Sequence, residues 1–462
     1  MEPMRVRELL AATGGTLIGD QVDLDTAITA VETDSRAVRD GALFVALRGE
    51  QTDGHRYIPN ALDSGAAGCL TEEEPPSCIP GKFYIKVPST LEAIGQVARA
   101  YKEKFPIPVI GITGSVGKTT TKDMIASILG VKYRVLKTEG NFNNELGLPL
   151  TLFRLSPEDQ ICVLEMGMSA LGEIDYLTKI VAPDVAVITN IGDAHIEFLG
   201  SREGILKAKA EILENLRPGG TVILNGDDAL LNTLTPPFET LRCGQGENCA
   251  YRVTEIADHG VDGITCCLTT PREEYHLTIP APGEHMVYSA SMAAAIGEKL
   301  GLTAAEIARG VACYAPTGSR MRVLRLAEER TVLDDCYNDN PQSVTAALEI
   351  LAKTDCAQRV AVLGDMGELG ELTAQAHYNM GALAVMLGID LVIAIGTHAA
   401  RIAEGVECSG GQVQHFATKE EALPTIRAQL TPQTAMLIKA SHAMRFGQLV
   451  EALEQSYDRY SG

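Results

Sequence analysis

The chain has 462 residues, of which 45% are hydrophobic and 21% are charged, a composition that excludes disorder over the whole length. Its formal net charge of −21 excludes a broad basic surface for nucleic acid, so an anionic ligand would need a local positive site. Eleven cysteines occur without a CxxC pair, and no apolar run approaches the ~20 residues that span a bilayer. We therefore expect reduced thiols in a cytoplasmic protein that neither inserts into a membrane nor binds nucleic acid.

Short runs of β-branched and aliphatic residues predict buried strands that alternate with helical segments. In chain order, these strands lie at 109–113, 161–164, 185–188, 221–224, 359–363, 391–395 and 435–438. Nearly continuous apolar strands separated by helices are typical of parallel sheets covered on both faces. A later helix is predicted to begin at Pro341, with the side chain of Asn340 as its N-cap.

Two turn-rich segments predict domain boundaries. One, at 102–108, is charged and rich in proline, and the other is the segment 314–319. A chain of this length is expected to hold about three domains. The predicted domains are 1–103, 104–317 and 318–462. The predicted fold class is α/β, with a smaller α/β domain first, a central P-loop-type domain with a parallel sheet, and a Rossmann-like α/β domain last.

A glycine-rich loop follows the strand at 109–113 and opens a helix. Its residues are Gly114, Ser115, Val116, Gly117, Lys118, Thr119 and Thr120. Backbone N–H groups of such a loop surround phosphate oxygens, and the helix N-terminus adds positive potential. Lys118 would reach the β- and γ-phosphates of a nucleotide, and the Thr119 hydroxyl would bind Mg²⁺. The usual P-loop has glycine where this chain has Ile112, so the loop is a shorter variant.

Two functional candidates follow other strands of the same predicted sheet. Glu165 ends the strand at 161–164, and His195 follows the strand at 185–188. Ligands of open α/β sheets bind beyond the carboxyl ends of strands, so we expect both residues near the phosphate loop. Glu165 would hold Mg²⁺ opposite Thr119. A histidine alone is also typical of a structural hydrogen-bonding role, but its place at this edge favours a function.

Lys209 lies on the apolar face of a predicted helix. It shares this face with Leu206, Leu213 and Leu216, whereas Lys207 lies on the opposite side. The spacing leaves two interpretations open: the ammonium group extends to water along its apolar stem, or it is held at the site with altered charge.

Polar segments also follow the strands of the last predicted domain. Asp335 would bind a ribose hydroxyl or a phosphate-linked cation, or it would form an Asx turn before the helix. Similar segments lie at 364–370 and 439–442. A second α/β unit with polar strand ends predicts a lid that faces the nucleotide across a cleft.

Taken together, these motifs resemble those of the Mur ligase superfamily over essentially the whole chain. The residues that carry the resemblance lie at 33–36, 41–49, 53–55, 114–120, 140–149, 165–168 and 334–341. The short phosphate loop is the form found in this superfamily. The family's adenine-side asparagines are replaced here by Met286 and Ser289, and the arginine of its late Lys-Gly-Ser-Arg segment is replaced by His442.

The resemblance implies an ATP-dependent ligase that joins D-alanyl-D-alanine to UDP-N-acetylmuramoyl-tripeptide through an acyl phosphate, in the cytoplasmic synthesis of a peptidoglycan precursor. The first domain would hold the UDP-sugar peptide, the central domain ATP, and the last domain the dipeptide and part of the nucleotide. The resemblance also implies the substrate-binding residues Ser35, Arg36, Asn141, Asn143 and Asn144. We expect a monomer.

The resemblance further implies roles for the site residues. Glu165 and His195 would contact Mg²⁺, and Lys209 would be carbamylated, which turns a buried cation into an oxygen-donor anion. Arg320 would bind the phosphates of ATP, and Asp335 would bind near its ribose. The implied catalytic residues are Lys118, Glu165, His195 and Lys209. The attacking amine must be neutral, and His195 is a candidate proton acceptor only if it does not bind the metal.

Two other functions remain open from the sequence. The chain could be another ligase of the superfamily, such as a folylpolyglutamate synthetase or a ligase with a different amino-acid donor. It could also be a regulatory protein that hydrolyses ATP without ligation, although the presence of Glu165, His195 and Lys209 together argues against this.

Overall fold

The computed structural model describes residues 1–49 and 52–457, which form successive α/β regions along the chain. In the first region the helices are α1 (Val6–Thr13), α2 (Ile58–Asp63) and α3 (Thr90–Lys102). Its strands are β1 (Met4–Arg5), β2 (Thr16–Ile18), β3 (Ala27–Ile28), β4 (Ala30–Glu32), β5 (Ala42–Val45), β6 (Gly68–Thr71) and β7 (Phe83–Lys86). Strands β1 and β3 form a separate antiparallel pair. The five-stranded sheet has the order β2-β7-β6-β5-β4, in which β2 is antiparallel to β7 and the other neighbours are parallel.

The central region contains the longest sheet of the described chain. Its strands are β8 (Val109–Thr113), β9 (Val135–Lys137), β10 (Ile161–Glu165), β11 (Val185–Ile188), β12 (Thr221–Asn225), β13 (Glu239–Gly244), β14 (Tyr251–Asp258), β15 (Ile264–Thr269) and β16 (Glu274–Ile279). Its helices are α4 (Lys118–Leu129), α5 (Gly147–Leu152), α6 (Glu173–Val181), α7 (Ile196–Leu199), α8 (Arg202–Ala210), α9 (Met286–Lys299) and α10 (Ala304–Ala312).

Strand β8 lies at the centre of this sheet, between β10 and β11. The full order is β16-β15-β14-β13-β12-β11-β8-β10-β9, parallel from β9 to β14 and antiparallel from β14 to β16. Val109 packs into the hydrophobic core on one face of the sheet, and Ile110 and Ile112 pack into the core on the other. Burial on both faces explains why β8 is apolar throughout, and it leaves the strand's carboxyl end free for a ligand.

The last region is a second α/β layer. Its strands are β17 (Arg322–Leu326), β18 (Arg330–Asp334), β19 (Gln358–Leu363), β20 (Leu391–Ile395), β21 (Val413–Phe416) and β22 (Thr434–Lys439). Its helices are α11 (Pro341–Lys353), α12 (Thr373–Met386), α13 (Ala400–Cys408), α14 (Lys419–Gln429) and α15 (Gly447–Glu454). The sheet order is β17-β18-β22-β19-β20-β21, in which β17 is antiparallel to β18 and the other neighbours are parallel.

The α/β fold class and the predicted strands are confirmed, with ends that differ by one residue at most. Helix α11 begins at Pro341, and the Asn340 side chain accepts a hydrogen bond from the Ser343 backbone N–H at 2.9 Å, as predicted. Among the described helices, none combines the length and apolar character needed to span a bilayer.

The helix that carries Lys209 is shorter than predicted, although Leu206, Leu213 and Leu216 all belong to or pack against one hydrophobic core. Helix α8 ends at Ala210 and continues as a short 3-10 turn through Leu213, so Leu216 lies beyond it. The change of pitch at Ala210 rotates the later residues, and Ile212 rather than Leu213 is the buried side chain of the turn. Lys209 is nevertheless buried and Lys207 exposed, as the spacing predicted.

Candidate active site

A cavity of about 660 Å³ lies between the central and last regions. Its walls include the phosphate loop and Glu165 from the central region, and Arg320, Asp335 and Lys439 from the last. The second α/β unit therefore faces the phosphate loop across a cleft, the arrangement expected of a lid.

The phosphate loop is held in shape by glycines and by residues that follow β11. Gly114 has a φ of 150°, and a Cβ atom there would lie 1.8 Å from the Thr189 Oγ1 atom, so only glycine fits. Gly117 adopts a left-handed conformation directly before α4. The Val116 N–H donates to Asn190 Oδ1, and Asn190 Nδ2 donates to the Val116 carbonyl, both at 3.0 Å. The loop is therefore preorganised at the N-terminus of α4, where backbone N–H groups favour an anion.

Lys118 begins helix α4 and folds back over this loop. Its Nζ atom donates to the Gly114 carbonyl at 2.8 Å. Burial lowers the pKa of Lys118, partly opposed by the charge of Glu165, and the Arg320 guanidinium lowers it further. The Gly114 carbonyl thus holds the Lys118 ammonium beside the loop, where a phosphate oxygen would replace the carbonyl as its hydrogen-bond partner.

Glu165 ends β10 beside the same loop, and its side chain is only 2% exposed. Its carboxylate accepts hydrogen bonds from Thr119 Oγ1 at 2.7 Å and from Asn143 Nδ2 at 2.9 Å. Both donors are neutral groups. No basic side chain therefore separates the buried carboxylate oxygens of Glu165 from the hydroxyl oxygen of Thr119. These hard oxygen donors fit Mg²⁺.

His195 lies where the central region meets the last region. Its Nδ1 atom is 2.7 Å from Glu368 Oε2, although the two groups are poorly aligned for a hydrogen bond. This contact lowers the pKa of Glu368. The backbone φ is positive at both residues, 65° at His195 and 59° at Glu368. Residues other than glycine rarely adopt this strained backbone conformation. A carboxylate on Nδ1 orients the imidazole and leaves Nε2 free for a metal ion.

The side chain of Lys209 is 1% exposed, so the interpretation that its ammonium reaches water is wrong. Burial lowers the pKa of Lys209 well below its usual value, and the charge of Lys118 lowers it further. The neutral amine is therefore favoured at this position, although Lys209 is not part of the cavity wall.

The Asp335 carboxylate accepts hydrogen bonds from two groups outside its own turn. Its carboxylate accepts from the Met321 backbone N–H at 3.0 Å and from Lys439 Nζ at 2.7 Å, so the Asx-turn interpretation is wrong. The Lys439 ammonium also donates to the Asn338 carbonyl at 2.9 Å. Nearby, the Arg320 guanidinium stacks 4.1 Å from the centre of the Tyr337 ring. These contacts orient cationic groups toward the cavity.

The segment that departs from the family pattern also lines the cavity. Met286 and Ser289 both contribute to its wall, and the Ser289 hydroxyl lies 3.0 Å from the Thr121 hydroxyl of α4. Ser289 therefore joins α9 to the helix that follows the phosphate loop.

Several candidates lie outside this cavity. Ser35 and Arg36 belong to the first region, where Arg36 pairs with Asp34 at 2.7 Å on the surface. Asn141 is exposed and is not part of the wall, whereas Asn143 and Asn144 are. The cavity thus brings together the nucleotide candidates other than Gly114 and two of the five substrate candidates.

The sequence did not single out three residues that shape the site: Glu368, Asn190 and Asp339. Each lies in a polar segment that follows or precedes a predicted element, and this placement was the only available signal. The residue that each of them contacts is remote in the chain, so the local sequence alone does not reveal that contact.

Asp339 provides a test of the electrostatics beneath the cavity. It is 4% exposed, and burial raises its pKa to about 7 against the attraction of Lys439. The folded state therefore binds more protons than the unfolded state between about pH 4 and 7, so stability from this group is lost as the pH rises through 7.

We expect the free energy of unfolding to fall between pH 6 and pH 8 in the wild type, and to fall less in Asp339→Asn. Urea unfolding across this range measures the difference. The exposed Asp355→Asn is the matched control and should retain the wild-type slope. Equal slopes for Asp339→Asn and wild type would contradict the assignment.

A phosphate loop on a parallel sheet, with a buried carboxylate beside it and a second α/β unit across the cavity, defines a nucleotide-dependent α/β enzyme of several domains. Residues 27–102 match the Mur ligase family catalytic domain, 112–297 the Mur ligase middle domain, and 319–442 the Mur ligase glutamate ligase domain. The chain belongs to the Mur ligase family. The prediction of an ATP-dependent ligase is thereby confirmed.

Similar proteins extend over nearly the whole chain. A UDP-N-acetylmuramoyl-tripeptide–D-alanyl-D-alanine ligase of Bacillus subtilis (strain 168) is 37% identical, with 98% of each chain covered. A crystal structure of MurF from Acinetobacter baumannii has a TM-score of 0.91 at 33% identity and covers 98% of this chain and 99% of its own. MurF ligase from Thermotoga maritima in complex with ADP has a TM-score of 0.83 at 28% identity and covers 92% and 97%.

Proposed function

We propose that this chain is an ATP-dependent ligase that joins D-alanyl-D-alanine to UDP-N-acetylmuramoyl-tripeptide in the cytoplasmic synthesis of a peptidoglycan precursor. The observation that carries the proposal is the shared cavity, in which the phosphate loop and the Thr119–Glu165 pair face Arg320 and Asp335. The similarity to ligases named for this reaction supports the same substrates.

We assign the substrates to the predicted domains. Residues 1–103, with Ser35 and Arg36, hold the UDP-sugar peptide, and residues 104–317 hold ATP. Residues 318–462 hold the dipeptide and contribute Arg320 and Asp335 to ATP. Asn143 and Asn144 line the cavity, and Asn141 lies near them in the chain. This segment is therefore placed to bind the peptide part of the UDP-sugar peptide where it extends from the first domain toward ATP in the central domain. One chain supplies both sides of the cavity, so a monomer suffices.

The side chains support phosphoryl transfer to the carboxylate of the peptide. Loop amides and Lys118 bind the phosphates of ATP, and Arg320 neutralises charge from the opposite side. Thr119, Glu165 and His195 would hold Mg²⁺, which neutralises phosphate charge when bound. The peptide carboxylate attacks the γ-phosphorus as ADP leaves, and the dipeptide amine then attacks the acyl phosphate, releasing phosphate and a proton.

Lys209 fits a carbamate because its neutral amine is favoured. That amine attacks CO₂, forms an N–C bond and releases one proton, which leaves an anionic carbamate in place of the buried neutral amine. The carbamate oxygens would balance the charge of Lys118, the neighbour that lowers the pKa of Lys209.

The test is ADP release by the full chain with ATP, Mg²⁺ and each substrate alone or together. We expect ADP only when UDP-N-acetylmuramoyl-tripeptide and D-alanyl-D-alanine are both present, with a product mass equal to their sum less one water. Tripeptides with diaminopimelate and with lysine should both be supplied. ADP with a folate and glutamate would instead indicate a folylpolyglutamate synthetase, and ADP without any acceptor would indicate a regulatory ATPase.

A further inference from the structure

A cluster of metal-ligating side chains lies on the antiparallel part of the central sheet, outside the cavity. It consists of Glu255 on β14, Cys267 on β15 and His276 on β16. One ligand atom from each residue lies within 4.8 Å of the other two. None of the three contributes to the wall of the cavity described above, so this cluster is independent of the ligase chemistry.

The strand register places Cys267 and His276 together. They are direct partners across the antiparallel β15–β16 pair, so their side chains project from the same face of the sheet. This face is opposite the core, into which the neighbouring Cys266 and Leu268 pack. Cys267 is nevertheless only 2% exposed, which shows that the side chains around it enclose the thiol.

A β-bulge brings in the third residue. Thr254 pairs with Cys267 and Ala257 pairs with Thr265, so β14 contains one extra residue at this point. Glu255 lies in the bulge with a φ of 50°, a conformation rarely adopted by a residue with a side chain. A regular strand would direct Glu255 to the face opposite Thr254, whereas the bulge re-aims it toward Cys267.

The charged groups near the Cys267 thiol are carboxylates, as expected at a site that binds a cation. Burial raises the pKa of Cys267, and the carboxylates of Glu274 and Glu255 raise it further. Within the described residues, neither carboxylate forms a salt bridge with a lysine or arginine. A divalent cation would neutralise both carboxylates and would stabilise the thiolate instead of the thiol.

We propose that Glu255, Cys267 and His276 bind a divalent transition-metal ion of the zinc type, with the neighbouring Glu274 or water as a fourth ligand. Thiolate, imidazole and carboxylate are the ligands that Zn²⁺ uses. The ligand atoms of a tetrahedral zinc site lie about 3–4 Å apart, so small side-chain rotations complete the geometry. The ion joins β14, β15 and β16, against which α9 packs, and it therefore stabilises this part of the sheet.

The probe is Co²⁺ added to the reduced, chelator-treated full chain, because a cobalt–thiolate bond produces charge-transfer absorption that oxygen and nitrogen ligands do not. We expect this absorption to saturate at one Co²⁺ per chain and to disappear when Zn²⁺ is added. Cys267→Ser should abolish it, whereas the matched control Cys266→Ser should retain it. Absence of the band, or its survival in Cys267→Ser, would overturn the proposal.

His276→Gln provides a second test that does not depend on replacing a buried residue, since His276 is exposed. We expect this variant to bind Co²⁺ about 100-fold more weakly than the wild type. Zn²⁺ should raise the Tm of the wild type and of Cys266→Ser, but not that of His276→Gln. An equal rise in Tm for His276→Gln and wild type would exclude this residue as a ligand and overturn the site.

Discussion

Lys118→Ala is expected to lower the kcat of ADP release by about 1000-fold at saturating ATP and peptide substrates. Phosphoryl transfer depends on positioning and on neutralisation of charge at the transferred group, and Lys118 is the cation that the phosphate loop itself holds in place. Its Nζ atom lies 2.8 Å from the Gly114 carbonyl, so the lysine is preorganised before the nucleotide binds. Alanine removes this cation and leaves the loop glycines unchanged.

A coupled assay for ADP measures the loss directly. Lys179→Ala is the matched control, because Lys179 is exposed on α6 and pairs only with Asp175 among the described side chains. This control should keep the wild-type rate. A rate near wild type for Lys118→Ala would remove Lys118 from the transfer step and with it the assignment of the loop.

Lys209→Met is expected to lower kcat by at least about 100-fold without loss of folding. Methionine fills a buried site of similar length, so the change removes the amine and its carbamate but retains the packing. If Lys209 acts as a carbamate, the wild-type rate should also fall in buffer depleted of CO₂ and recover when bicarbonate is added. The ¹³C NMR signal of a carbamate should appear with ¹³C-labelled bicarbonate.

Lys207→Met is the control that distinguishes a specific effect of losing Lys209 from a general effect of losing a lysine on this helix. Lys207 lies on the same helix, α8, but is exposed, and we expect this variant to match the wild type in both rate and bicarbonate response. If Lys209→Met retains the full rate, Lys209 has no part in the reaction. If the wild type shows no bicarbonate response and no carbamate signal, the carbamylation proposal is wrong even where the lysine is required.

The features that local patterns encode were predictable from the sequence. The phosphate loop is a continuous segment after a buried strand, so its residue types and spacing are sufficient to identify it. The start of α11 is equally local, because Asn340 and Pro341 act on the backbone within one turn. The end of α8 was less predictable, because the 3-10 turn after Ala210 changes the periodicity on which the predicted apolar face depended.

The contacts of Lys209 and Asp335 illustrate what spacing leaves open. Periodicity placed Lys209 on an apolar face, but only the packing of that face excludes water from its amine. Asp335 follows a strand, and its sequence context suited either a turn or a ligand. Its actual partners are Met321, which directly precedes β17, and Lys439, which ends β22.

The sequence by itself determined the nucleotide loop, the alternation of strands and helices, and the residues that follow each strand, because these depend on short-range propensity and burial patterns. Only the tertiary structure decided which of those residues meet. His195 faces Glu368, and Glu255 faces Cys267, through the docking of one region on another and through a bulge that shifts strand register. The first contact depends on surfaces formed by segments far apart in the chain, and the second depends on the pairing register of two neighbouring strands. No local pattern specifies how such surfaces and strands fit together.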